Sequence, residues 1–134
     1  MTPIPRYPLR SMRKTRRTSR VGEMLRDALV EVLRHDVKDV AQGLASVNEV
    51  EVSPDLHLAR VFMSGFNEEE TRNVVLALQQ RAPRIRSLLG KRIRLRYTPE
   101  LDFRYDDTAA RAGRIESLLH DLKANEDDDS GDES

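Results

Sequence analysis

Two stretches with a period of two, Ser46 to Val52 and His57 to Ser64, are separated by Ser53-Pro54-Asp55-Leu56. Alternation sends neighbouring side chains to opposite faces of a strand, and Pro54 with Asp55 suits a tight reversal, so the pair predicts a β-hairpin. Val50 and Val52 share one face of the first strand, with Glu49 and Glu51 on the other. In the second strand Ala59, Val61 and Met63 oppose Leu58, Arg60 and Phe62. Helical periods lie on both sides of the hairpin, so its apolar face is expected to pack against helices in an α+β domain.

Upstream, Val21, Met24, Leu25, Ala28, Leu29, Val32 and Leu33 recur at the spacing of one buried helical stripe, starting from a cap at Thr18 or Ser19. Downstream, Asn67 followed by Glu68, Glu69 and Glu70 starts a second helix, whose Val74, Ala77 and Leu78 face the core. That helix cannot pass Pro83 undisturbed, because proline lacks an amide hydrogen and its ring clashes with the Gln79 carbonyl. Two helices, or one sharply kinked helix, should therefore meet at Arg81 to Arg84. The second carries Ile85, Leu88 and Leu89 inward and is expected to stop at Gly90.

Ile93, Leu95 and Tyr97 alternate with Arg92, Arg94 and Arg96, which predicts a third strand with one apolar and one cationic face. A crossover of this length returns it parallel to the second strand, giving a three-stranded mixed sheet with helices on one side. After Pro99 an extended segment, Leu101 to Tyr105, leads to Asp107 or Thr108 as the cap of a last helix bearing Ala112, Ile115, Leu118, Leu119 and Leu122. Gly113 weakens that helix by about 1 kcal/mol relative to alanine.

With 134 residues there is room for one domain. We expect a flexible basic arm over 1–17, the folded domain over 18–123 and a disordered acidic tail over 124–134. Zero net charge conceals this asymmetry: residues 1–22 hold seven basic and no acidic residues, and 124–134 hold six acidic and no basic ones. The absence of cysteine rules out disulfides and thiolate metal sites. Without an apolar run of about 18 residues no membrane span is expected, which together suggests a cytoplasmic protein.

The stretch from Arg81 to Arg96 contains seven Lys or Arg residues and no acid. A solvated helix face usually mixes signs into i, i+4 pairs, whereas this one carries a single sign on an element that also supplies core residues. Such a rigid cationic surface points to a phosphate backbone. The candidate contacts are Arg81, Arg84, Arg86, Lys91, Arg92, Arg94 and Arg96, joined by Arg13, Lys14, Arg16, Arg17 and Arg20 of the amino-terminal region. Aromatic residues are scarce, which favours recognition of backbone and shape over base stacking. An enzyme is not expected: His35, His57 and His120 are scattered, and no P-loop or H-E-x-x-H pattern occurs. Neither a cofactor nor a metal is called for.

Helix, hairpin, two helices joined at a break and a strand is the element order of a type II KH domain. Val50-Glu51-Val52-Ser53-Pro54-Asp55-Leu56 with Ala59-Arg60-Val61, Ile85-Arg86-Ser87-Leu88-Leu89-Gly90-Lys91, and Leu95-Arg96 leading to Pro99-Glu100-Leu101, Phe103 and Asp106 narrow it further. Over Arg20 to Leu122 the chain resembles the ribosome-binding factor A family. That resemblance implies a monomeric, non-enzymatic assembly factor that binds the free small (30S) ribosomal subunit and supports late maturation and 5′-end processing of 16S ribosomal RNA. It also implies a GTP-hydrolysing partner in release. Where the family has an Ala-x-Gly helix break, this chain reads Arg81-Ala82-Pro83-Arg84. A general KH-type RNA-binding regulatory protein is the alternative, and a protein adaptor working through the last helix is a third.

Overall fold

The computed structural model describes residues 14–37, 45–108, 119, 120 and 122. Helix α1 spans Arg16–His35, starting two residues before the earlier of the two expected caps. Its cap is Thr15, whose hydroxyl accepts from the Thr18 amide at 3.1 Å while the Thr18 hydroxyl accepts from the Thr15 amide at 2.8 Å. Such reciprocity satisfies two amides that a helix start otherwise leaves open. The buried stripe of α1 includes Val21, Leu25, Leu29, Val32 and Leu33, while Met24 stays exposed.

Strands β1 (Ser46–Val52) and β2 (Leu58–Ser64) form the expected antiparallel hairpin, with a bulge between Val47 and Glu49. In the turn the Ser53 hydroxyl donates to Asp55 Oδ1 at 2.6 Å and accepts from the Leu58 amide at 3.0 Å. Leu56 takes a φ of 63°, the left-handed value that closes the reversal. Helix α2 (Glu68–Gln80) begins on Asn67, whose Oδ1 accepts from the Glu70 amide at 2.9 Å. Helix α3 (Ala82–Arg92) follows after the single residue Arg81, whose φ of −96° and ψ of 6° make the break. Pro83 sits in the first turn of α3, where an absent amide hydrogen costs nothing.

Two expectations are corrected. Gly90 does not end α3, which runs on to Arg92; a Cβ there would lie 2.9 Å from Thr98 Oγ1, so this glycine serves a close approach and not a cap. The third strand is also not formed by Ile93, Leu95 and Tyr97: β3 is Glu100–Tyr105, on the far side of Pro99. The reason lies in what each candidate would place on the two sheet faces. β3 sends Leu101 and Phe103 into the core and sets Asp102 beside the buried Arg60, with Asp102 Oδ2 3.3 Å from Arg60 Nε. A strand over 92–97 would instead have put arginines on the face that already holds Arg60.

Strand order is β1-β2-β3, with β3 parallel to β2 as the crossover length requires. Val50, Val52, Ala59, Val61, Met63, Leu101 and Phe103 share one core cluster with Leu25, Leu29, Leu78, Ile85 and Leu89, so α1, α2 and α3 cover one sheet face. Across the other face Glu51, Arg60 and Asp102 stand in register on the three strands. The bulk of the expected last helix, and of both tails, lies outside the described residues; of its expected inward positions, Leu119 and Leu122 are exposed.

Candidate nucleic-acid interface

All seven cations between Arg81 and Arg96 are exposed, and the fold sorts them into distinct settings. Arg81 occupies the α2–α3 junction, and seven residues of spacing put Arg84 and Lys91 on one line of α3. Two residues from Arg84 is more than half a turn, so Arg86 lies on the opposite flank of the buried Ile85 and Leu89. There its Nε donates to the Thr98 carbonyl at 2.8 Å, tying α3 to the segment that leads into β3. Arg92 closes α3, and its Nη2 comes within 3.9 Å of Asp36 Oδ2 at the end of α1.

Arg94 and Arg96 belong to an irregular link, yet they keep the alternation seen in the sequence: Ile93 and Leu95 are half-buried between them. The cationic side therefore exists without a β-ladder behind it. Arg96 lies over the ring of Tyr97 at 5.6 Å, and that ring meets His57 edge-on at 5.1 Å. Among the described residues, Arg84, Lys91 and Arg94 have no acidic partner. A ridge along α3 to the link, through Arg84, Lys91 and Arg94, thus presents cations that no acid among the described residues neutralises.

The amino-terminal cations are placed elsewhere. Arg16, Arg17 and Arg20 are exposed on the first turns of α1, and about 24 Å of helix separates Arg20 from the Asp36 end that meets Arg92. Lys14 is engaged by acids of β1, 2.9 Å from Glu49 and 3.9 Å from Glu51. Arg13 lies outside the described residues. The structure therefore does not gather the predicted set into a single patch.

Sequence reasoning missed Gln79 and Asp102. The Gln79 side chain accepts from the Phe103 amide at 2.7 Å and donates to the Leu101 carbonyl at 3.3 Å, which covers the outer edge of β3 next to the junction. Asp102 holds both Arg60 and Arg104, the latter at 3.0 Å. The period-two pattern of Leu101, Phe103 and Tyr105 was the available signal for both, since it moves the sheet edge beside α2. No His, Asp and Glu group among the described residues is arranged to hold a metal ion, and no described helix is long and apolar enough to cross a membrane.

A protein-family model described as ribosome-binding factor A matches residues 17–119. Ribosome-binding factor A of Halothermothrix orenii is 39% identical over 117 residues, covering 87% of this chain and 96% of the relative. The crystal structure of ribosome-binding factor A from Thermus thermophilus is similar at a TM-score of 0.58 and 27% identity, over 66% of this chain and 94% of that one. A homology model of the Thermus thermophilus factor fitted into the cryo-EM map of a 30S complex is similar at a TM-score of 0.53 and 27% identity, with coverage of 66% and 94%.

Proposed function

The chain belongs to the ribosome-binding factor A family and has its KH-like fold, and from that membership we propose that it binds the free small ribosomal subunit. In this reading it supports late maturation of 16S ribosomal RNA, including 5′-end processing, as a cytoplasmic, monomeric and non-enzymatic factor. The observation that carries the reading is the unneutralised ridge of Arg84, Lys91 and Arg94 beside Arg81 at the helix junction. Fixed on α3 and anchored through Ile85 and Leu89, these charges can meet a phosphate path without first ordering a loop. Arg16, Arg17 and Arg20 would reach a second, separate stretch of the same RNA. Release by a GTP-hydrolysing partner belongs to the same proposal.

Sedimentation tests it. The protein should travel with free small subunits, be absent from complete ribosomes, and dissociate steeply as salt is raised. Equal binding to unrelated single-stranded RNA, with no preference for the subunit, would instead identify a general regulatory RNA-binding module. Binding that survives ribonuclease and moderate salt would point to a protein adaptor.

A further inference from the structure

Tyr97 shares its alternation with Ile93 and Leu95, yet those two pack against the core while the phenol ring is 52% exposed. The ring is nevertheless held in place. Arg86 of α3 donates to the Thr98 carbonyl at 2.8 Å, a Cβ on Gly90 would lie 2.9 Å from Thr98 Oγ1, and Pro99 is fully buried. The backbone that follows Tyr97 is therefore packed against α3. Beside the ring lies His57, also exposed, which meets it edge-on at 5.1 Å. Two backbone bonds fix His57: its amide donates to Asp55 Oδ1 at 3.0 Å, and its carbonyl accepts from the Glu100 amide at 2.9 Å. One ring from the hairpin turn and one from the link thus stand together in solvent on rigid supports.

We propose that Tyr97 and His57 form a stacking subsite for a single unpaired nucleobase of the RNA whose phosphates follow the α3 ridge. The inference rests on the subunit-binding reading and adds to it a contact with a base. Charge sets the subsite beside the phosphate path. Arg94 is three residues from Tyr97, at most about 11 Å along the chain, and Arg96 Cζ stands 5.6 Å from the Tyr97 ring centre. Bases stack on guanidinium planes as well as on rings, so Arg96 enlarges the platform and brings a cation for the adjoining phosphate. The nearby Asp55 turns its carboxylate into the hairpin turn, where it accepts from the Ser53 hydroxyl at 2.6 Å and from the His57 amide.

Phe66 is exposed as well but fits a nucleotide poorly. Glu68, Glu69 and Glu70 follow it directly and would repel a phosphate. Every base has a π-face, so the Tyr97 subsite requires no particular sequence, only a base free of its stack.

Binding of the full chain to purified free small subunits tests this. Tyr97→Ala should weaken it about 5- to 150-fold, the range for losing one base–aromatic stack, without changing the salt slope, since no phosphate contact is removed. Tyr97→Phe and Phe66→Ala should each stay within about twofold of the parent. The chain has no tryptophan, so Tyr97→Trp adds a single indole that keeps the stack and should lose emission when subunits are added. Ultraviolet irradiation of the parent complex should join the tryptic peptide beginning at Tyr97 to a nucleotide. Unchanged affinity of Tyr97→Ala, equal losses from Phe66→Ala, unquenched indole emission, or a cross-link from that peptide to a ribosomal protein would overturn the subsite and leave the subunit reading standing. Failure of the parent to sediment with free subunits would overturn both.

Discussion

Gln79 Oε1 accepts the Phe103 amide hydrogen at 2.7 Å, so a side chain of α2 takes the place of a neighbouring strand along the outer edge of β3. The Gln79 amide nitrogen completes the pairing by donating to the Leu101 carbonyl. Open strand edges are templates for association, and this one is sealed by a single carboxamide. Gln79→Ala should therefore lose about 1 to 3 kcal/mol, because Phe103 is buried and its amide would be left unmet. Association should also become concentration-dependent. Urea unfolding and sedimentation velocity check the two parts, and a variant that stays monomeric with unchanged stability would falsify this role.

For the α3 ridge, the simultaneous change of Arg84, Lys91 and Arg94 to Ala should flatten the logarithmic salt dependence of subunit binding by about three units, one per phosphate contact. Thermal unfolding should barely move, since these side chains are exposed and unpaired within the described fold. Arg86→Ala should behave in the opposite manner. Loss of its bond to the Thr98 carbonyl should cost about 0.5 to 1 kcal/mol of stability, with a smaller change in the salt slope.

Asp102 accepts from two guanidinium groups, one of them on the buried Arg60. Removing one partner of a buried pair generally costs about 3 to 5 kcal/mol, because the other charge stays out of water. Asp102→Ala should fall near the lower end of that range. Arg60→Met should cost less, since Asp102 then retains the more accessible Arg104 at 3.0 Å. Chemical unfolding of the two variants side by side gives the comparison, and equal losses would mean that Arg104 contributes nothing to holding Asp102.

Two glycines inside helices should respond differently to alanine. At Gly22 an added Cβ would come 2.7 Å from the Val50 carbonyl oxygen, which belongs to the sheet backbone and cannot turn aside. Gly22→Ala is thus expected to destabilise by at least about 2 kcal/mol, despite the roughly 1 kcal/mol that alanine contributes in a helix. At Gly90 the obstacle is the side-chain oxygen of Thr98, which can rotate. Gly90→Ala should stay within about 1 kcal/mol of the parent in either direction, and differential scanning calorimetry distinguishes the two cases.

The hairpin and the helix break were legible because local chemistry decides both. Pro54 and Asp55 define a reversal between two alternating runs, and Pro83 forbids a continuous helix whatever surrounds it. The third strand was not legible in the same way. Ile93 to Tyr97 and Leu101 to Tyr105 carry equally good alternation, and the choice between them depends on Arg60, a residue distant in sequence. The cationic set shows the same limit: composition identified every exposed arginine of the α3 region, but only the fold reveals that Arg86 is tied to Thr98 and Arg92 lies near Asp36. The last helix and the tails fall largely outside the described residues.

Pairing β3 parallel to β2 has a temporal consequence. Arg60 and Asp102 are 42 positions apart, so the central strand is complete long before its second neighbour exists. At about 5 to 20 residues per second of synthesis, β2 waits on the order of several seconds with one side unpaired. During that interval α1 and the hairpin are the first elements able to pack on each other, with α2 and α3 following, and the approach of Gly22 to the Val50 carbonyl fixes the template onto which β3 is later zipped. Ribosome-bound nascent chains whose residues up to about 70 have left the exit tunnel should already protect β1 amides from exchange, whereas the β2 amides that pair with β3 should become protected only once residues up to Asp106 have emerged.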